Sequence, residues 1–433
     1  MQFPIIQARP SHLGWLIATS FVICVIAGCA STPSRTPAAS AQTSPPPAAL
    51  LERPATLPDA AQAPAFADWV ARFRVTALAA GIDQATLAIA FDQVRLVPRV
   101  VELDRAQPEF TRSVWDYLDR AVSPRRIDQG RDKLLQVRST FDSVAARYGV
   151  PAEIVVAIWG MESNYGSDVG NIPIIDSLAT LGFDGRRETW ARGQLLAALK
   201  ILQNKDIDRA RMVGSWAGAM GQTQFLPSNF LAYAVDADGD GRRDLWGSNA
   251  DVMASTANFL ARSGWQAGQP WGIEVRLPHD FDFSRADPDV RQSAATWAGA
   301  GVQSMNAAAL PAIPDASIML PAGARGPAFL IGPNFRAILK YNNSTSYALA
   351  VGLLAQQLGG GAGVQAGWPR DLQPLTRSQL LNLQNMLNTR GFEAGTPDGI
   401  MGPATRRGLR QYQQSLGLPA DGYPTLDLLQ RLQ

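Results

Sequence analysis

Histidine and cysteine are nearly missing: the 433-residue chain holds two of each. His12 falls in a leader-like segment described below, and His279 stands in Leu-Pro-His-Asp, which reads as a surface turn. A histidine-based triad or a histidine-rich zinc site therefore lacks its ligands. Both cysteines, Cys24 and Cys29, lie near the start. If Cys24 leaves with a leader, no pair remains and no intramolecular disulfide can form. A large excess of one charge is also missing. Lys plus Arg number 39 and Asp plus Glu number 37, a net of +2, which gives no electrostatic case for nucleic acid. Strand signals are few, with residues 271–277 the clearest.

The chain is long enough for a large core and a satellite module, and 46% of it is apolar. Residues 1–28 read as a secretory leader. Arg9 supplies positive charge, and residues 13–26 are mostly apolar but too short to span a bilayer comfortably. The segment ends in Ile26-Ala27-Gly28-Cys29, which resembles a bacterial lipobox. Cys29 is then the lipidation site and the new N-terminus, and attached acyl chains anchor the protein to a membrane. Ala30 rather than aspartate follows, which by resemblance to enterobacterial sorting implies the periplasmic face of the outer membrane. An ordinary signal peptide with an incidental cysteine is the alternative. Residues 29–64 are rich in Pro, Ala, Ser and Thr and cannot bury enough apolar surface to offset their ordering entropy. They read as a disordered tether with a reach of roughly 100 Å.

From Phe66 the pattern turns helical: Phe66, Trp69, Val70 and Phe73 recur at helix spacing. Residues 127–148, 152–161, 192–202, 250–263 and 347–358 also read as helices. The expected architecture is mainly α, of the α+β kind, with one domain over residues 65–365. Gly359-Gly360-Gly361 and Gly363 mark an expected flexible break. Residues 371–433 form a separate unit. Leu380, Leu383, Gln384 and Leu387 share one helix face; Asp398-Gly399 and Asp421-Gly422 mark tight turns. This segment resembles the peptidoglycan-binding modules of wall hydrolases, which implies a small three-helix domain.

Residues 151–166 carry the sharpest chemical signal. Pro151 suits a helix start. On that helix Glu162 shares a face with Val155, Ile158 and Trp159. A carboxylate on an apolar face is costly unless neutralised, and a raised pKa is what a general acid near neutral pH needs. The alternative is a solvated or capping Glu162 at the helix end, and the apolar run alone leaves both open. Glu153 sits in the first turn, where a carboxylate favours the helix dipole.

Trp159-Gly-Met-Glu-Ser-Asn-Tyr-Gly166 resembles the catalytic motif of the membrane-bound lytic murein transglycosylase B family. Three further blocks resemble that family in the same order. They are the groove segment Gly214-Ser-Trp-Ala-Gly-Ala-Met-Gly-Gln-Thr-Gln-Phe-Leu-Pro227, the acidic loop Asp236-Ala-Asp-Gly-Asp-Gly-Arg-Arg-Asp-Leu-Trp246, and Lys340-Tyr-Asn-Asn-Ser344 with Tyr347. The resemblance implies a lysozyme-like fold and an enzyme that cleaves peptidoglycan without water. Glu162 is then the one catalytic acid/base, where most glycosidases use two carboxylates. Ser215 and Gln224 match polar groove residues, Asn342 a residue near the acetamido group, and Tyr341 and Tyr347 active-site tyrosines. Gly214-Ser215 as a turn and Tyr347 as a helix start are the structural alternatives. Arg186 and Arg187 are candidates to meet stem-peptide carboxylates, with Arg187 assigned to substrate; a solvated basic turn is the other reading.

Asp236, Asp238 and Asp240 take positions 1, 3 and 5 of an EF-hand-like loop, and Arg242 offers a backbone carbonyl at position 7. Position 12 is Gly247 rather than glutamate. The resemblance implies that Asp251 closes the site around a structural calcium; an Asp/Gly-rich turn without metal is the alternative. No catalytic cofactor is expected. The expected partners are peptidoglycan glycan strands and, through lipid, a membrane; cell-wall synthesis or division proteins are further candidates. A hydrolytic muramidase and a non-enzymatic wall-binding lipoprotein are the competing functions.

Overall fold

The computed structural model describes residues 62–106 and 112–433. Cys29, the expected leader and all but the end of the expected tether lie outside the described residues. The described residues fall within one compact unit. Its first helix, Gln62–Ala79, buries Phe66, Trp69, Val70 and Phe73, the residues whose spacing announced it.

Short helices follow, each stopped by local chemistry. Asp83, Ser113 and Ser123 cap helices Gln84–Phe91, Val114–Ala121 and Pro124–Gln136 by accepting from backbone N–H groups. The single helix expected over residues 127–148 is two, Pro124–Gln136 and Arg138–Tyr148. They part at Val137, whose φ of −97° and ψ of 4° leave the helical region while its side chain turns into the core. Gly149, at φ 66°, then ends the second helix, and Pro151 blocks its continuation. The next helix, Ala152–Ser163, leaves at 110°.

That helix carries Glu162 and is buried all round from Ile154 to Gly160. Helices Pro124–Gln136 and Thr345–Leu358 pack against it. Helices Ile174–Asp184, Glu188–Gln203 and Asn249–Arg262 complete the large core. Among the described residues no single helix is long and apolar enough to cross a membrane.

The strand expected over residues 271–277 is Gly272–Arg276, and it belongs to a four-stranded antiparallel sheet whose other strands gave no sequence signal. The sheet order is Gln303–Ser304, Gly272–Arg276, Ala328–Ile331, Ser317–Met319. Ile273 and Ile318 both stand opposite Leu330. Phe281, Trp297, Ile318 and Leu330 build a separate small core over it. Apart from residues 272–276 the strands are two to four residues long. That is too short to show alternation.

The C-terminal module has three helices, Arg377–Thr389, Pro403–Ser415 and Leu426–Arg431, around Leu383, Leu387, Leu409 and Tyr412. The two Asp-Gly turns are locked alike. The Gln384 side-chain oxygen accepts from Gly399 N–H and that of Gln413 from Gly422 N–H, both at 2.8 Å. After the glycine-rich stretch expected to be a flexible break, the chain meets side chains from the large domain. The Glu274 carboxylate accepts from Gln365 and Ala366 N–H, each at 2.8 Å, and Arg370 pairs with Asp119 at 2.8 Å. The glycines let the chain turn, and these side chains strap it down. Arg410, 7% exposed, donates to Ala286 O and pairs with Asp287, each at 2.5 Å, so the module is seated on the sheet region.

Candidate active site

Glu162 stands in the last turn of its helix. The Tyr347 hydroxyl donates to its Oε1 at 2.6 Å. Glu162 is only partly covered, so a substrate can reach it, yet enough protein surrounds the carboxyl for burial to push its pKa up to about 7. The Tyr347 hydrogen bond works the other way, because it favours the carboxylate. No acidic side chain among the described residues adds to the shift. Buried Tyr347 is itself held neutral, first by burial and then by Glu162.

The turn after Glu162 is unusual. Asn164, Tyr165 and Gly166 all have positive φ, at 47°, 60° and 83°. Non-glycine residues adopt that region only when their surroundings dictate it. Here the Tyr165 hydroxyl donates to Arg126 O at 2.7 Å, and the Ser163 hydroxyl accepts from Gly166 N–H at 3.0 Å.

Tyr347 of the last block reaches Glu162 itself, and Gln222 of the groove segment reaches Trp159 on the same helix. The Tyr341 hydroxyl donates to Thr223 O at 2.7 Å, joining the last block to the groove segment. Its ring packs against Phe225 and Phe259, and Glu162 is close enough to raise its pKa further beyond what burial does. Gln224, at φ 50°, spends its side-chain amide on Gly221 O and Val169 O, at 2.9 and 3.1 Å. The Ser215 hydroxyl accepts from Ala219 N–H at 3.1 Å and closes its own turn. Gly214, just before it, has no room for a side chain because Ala219 O lies against the place a Cβ would take. Asn342 ends helix Pro333–Tyr341, and its side-chain amide makes no hydrogen bond among the described residues. It is half-buried and unspent.

Arg187 lies over the Trp190 ring, 4.1 Å from its centroid, with Nε 3.4 Å from Asp104. Its Nε and one terminal nitrogen are buried without a hydrogen-bond partner, and burial lowers its pKa. Arg186 is spent on Asp104, with Nε at 2.6 Å from the carboxylate.

In the acidic loop, carboxylate oxygens of Asp236, Asp238 and Asp251 all lie within 4.8 Å of one another. None of the three is in an ion pair among the described residues. Asp251 is buried, accepts from Ala237 and Asp244 N–H at 2.7 Å each, and is pushed up to about 6 by that burial. Three converging hard oxygens without a cationic side chain fit a divalent cation. Asp240 is not in that group; its carboxylate accepts from Arg242 N–H at 2.8 Å.

Two residues were not singled out by the sequence. Gln222, 7% exposed, bridges the helix that carries Glu162 and the acidic-loop segment. Half-buried Tyr117 acts electrostatically on Tyr347. Gln222 had a signal, since it lies inside the Gly-Gln-Thr-Gln run; Tyr117 had none.

Comparison with known proteins decides the family. Residues 65–356 match the transglycosylase SLT domain. The chain belongs to that family. Residues 376–432 match a peptidoglycan binding domain. This transglycosylase is 31% identical over 292 residues to the membrane-bound lytic murein transglycosylase B of Escherichia coli, covering 64% of this chain and 78% of the relative. It is 56% identical to SltB3 of Pseudomonas aeruginosa, solved in complex with NAG-anhNAM-pentapeptide, at a TM-score of 0.83 over 85% of this chain and 99% of that one. The Escherichia coli lytic transglycosylase Slt35, solved with calcium, is 30% identical at a TM-score of 0.57, covering 70% of this chain and 94% of that one.

Proposed function

We propose that this peptidoglycan lytic transglycosylase works with Glu162 as its single acid/base, on the bond between N-acetylmuramic acid and N-acetylglucosamine. The observation that carries the reading is a lone carboxyl raised to about 7 and hydrogen-bonded by Tyr347. Near neutral pH such a group can both give and take a proton.

In the first step Glu162 gives its proton to the glycosidic oxygen, and the bond from muramyl C1 to that oxygen breaks. The muramyl acetamido carbonyl supports the cationic C1 from the opposite face. Glu162 is then a carboxylate, the form that the Tyr347 hydroxyl favours. In the second step the muramyl C6 hydroxyl attacks C1 and Glu162 takes its proton. A 1,6-anhydro ring closes, the acid is restored and no water is consumed. The internal hydroxyl wins through its high effective molarity. A hydrolase would need a second carboxylate to activate water, which this scheme does without.

Asn342 suits the acetamido group, since its amide is unspent. Ser215, Gln224 and Tyr341 shape the groove wall, and Arg187 offers its flat cation to a stem-peptide carboxylate. Asp236, Asp238 and Asp251, with Asp240 and the Arg242 carbonyl beside them, would hold a calcium ion whose charge ties the loop together. Residues 371–433 would hold the glycan strand. Lipid on Cys29 and a tether over residues 29–64 would place the enzyme at the periplasmic face of the outer membrane, after loss of residues 1–28.

Mass spectrometry of sacculus digests tests the chemistry. Products with 1,6-anhydromuramyl ends are expected, and reducing ends would overturn the reading. Glu162→Gln should abolish cleavage and leave sacculus binding intact.

A further inference from the structure

Gln222 makes four hydrogen bonds, and all run between two elements. Toward the catalytic helix, its side-chain oxygen accepts from Trp159 Nε1–H at 2.8 Å, and its backbone carbonyl accepts from the Ser163 hydroxyl at 2.7 Å. Toward the acidic-loop segment, its backbone N–H donates to Leu245 O at 2.7 Å, and its side-chain Nε2 donates to Trp246 O at 2.9 Å. Trp159 and Ser163 flank Glu162, three residues before it and one after.

The site is built tightly around this side chain. A Cβ at Gly166 would run into the Gln222 side-chain oxygen, and a Cβ at Gly221 would meet Leu245 O at 2.6 Å. The Ser163 hydroxyl held by Gln222 is the same one that accepts from Gly166 N–H. It thereby fastens the three-residue turn of positive φ that follows the acid. Strain of that kind persists only where neighbours fix it.

We propose that Gln222 is a positioning residue for the transglycosylase reaction. It ties the end of the catalytic helix to residues 245–246 and so fixes where the Glu162 carboxyl points. This rests on Glu162 as the acid/base. A shift of about 1 Å in a catalytic group lowers turnover by roughly 100-fold, so loss of the tie should fall mainly on kcat.

The test is Gln222→Met, which keeps the side chain's length and removes both of its hydrogen bonds. On soluble glycan strands, kcat should fall roughly 10- to 100-fold while KM changes by less than about threefold. The pH at which activity declines on the alkaline side should drop, because a loosened carboxyl is better solvated. Phe73→Leu, in the core of the first helix and away from the site, serves as the control for general destabilisation. It should lower the melting temperature and keep kcat. Equal losses of kcat in both variants, or an unmoved pH profile in Gln222→Met, would overturn the proposal. Should Gln222→Met fail to fold, Trp159→Phe removes the same bond from the other side; full kcat there would sink the idea. Glu162→Gln separates the underlying reading, because its failure shows as retained cleavage whatever Gln222 does.

Discussion

Replacing the Glu162 carboxyl should stabilise this enzyme, and by an amount that depends on pH. Glu162 titrates near 4.5 in an unfolded chain and about 7 in the folded one. Below pH 4.5 both states carry the proton, and the carboxyl behaves as a neutral group. As the pH rises from 4.5 to about 7, the unfolded chain releases its proton and the folded protein does not. Stability therefore falls across that window and stays lost above it. The gap between the two pKa values corresponds to about 3 kcal/mol at pH 8. Glutamine has the same shape, cannot ionise, and can still accept from Tyr347. Glu162→Gln should match the wild type at pH 4.5 and exceed it by up to about 3 kcal/mol at pH 8, or roughly 4 °C in melting temperature for a body this size. Paired thermal melts of the two proteins across pH 4.5 to 8.5 read this directly. A difference that does not grow with pH would refute the raised pKa, and with it the physical basis for calling Glu162 the acid.

Tyr347→Phe removes the hydrogen bond that favours the carboxylate, so the Glu162 pKa should rise further. The alkaline limb of kcat/KM should move up in pH while the plateau falls, as a pH profile would show; a downward move contradicts the geometry. Calcium should stabilise the fold by mass action, by about 2.7 kcal/mol at a hundredfold excess over Kd, seen as a higher melting temperature, and Asp238→Ala should erase that response. No calcium effect on melting up to millimolar concentration would leave the loop an Asp/Gly turn. Arg410→Met strands Asp287, whose carboxyl that guanidinium helps hold below its usual range against the opposing effect of burial. It should cost about 2–3 kcal/mol and release the module. Faster proteolytic cutting within residues 359–375 checks this, and unchanged cutting means that the other contacts suffice.

Much of the helical body was legible because its signals are local. Phe66, Trp69, Val70 and Phe73 repeat at helix spacing, and the first helix buries those four. The Asp-Gly turns of the module were legible for the same reason, since only backbone at positive φ demands glycine there. What stayed hidden depends on distant partners. Nothing near Val137 in the sequence says that one helix must become two; the core that takes its side chain decides it. The contacts that hold the chain beyond the glycines after Leu358 stayed hidden because their partners, Glu274 and Asp119, lie far away in the sequence. The site divides along the same line. The apolar face left Glu162 open, and the resemblance to the family singled it out with Tyr341 and Tyr347. The pairing of Tyr347 with Glu162 joins residues 185 apart, and no periodicity reports it.

The burial of the helix around Glu162 explains how the fold tolerates such a site. A carboxyl raised to about 7 costs stability at neutral pH, and the positive φ of Tyr165 behind it adds strain. Both burdens fall at the C-terminal end of one helix. The preceding turns of that helix are fully enclosed: Val155, Val156 and Ile158 are 0% exposed. Each such side chain contributes roughly 1.5–3 kcal/mol on burial, so two or three of them offset the site. A helix with one solvated face would have fewer to give. Continuous burial from Ile154 to Gly160 is therefore part of the active site's design, and it is why the apolar run before Glu162 was both the sequence's best clue and an ambiguous one. The same run that fits a core helix is what a strained, uncharged acid needs beneath it.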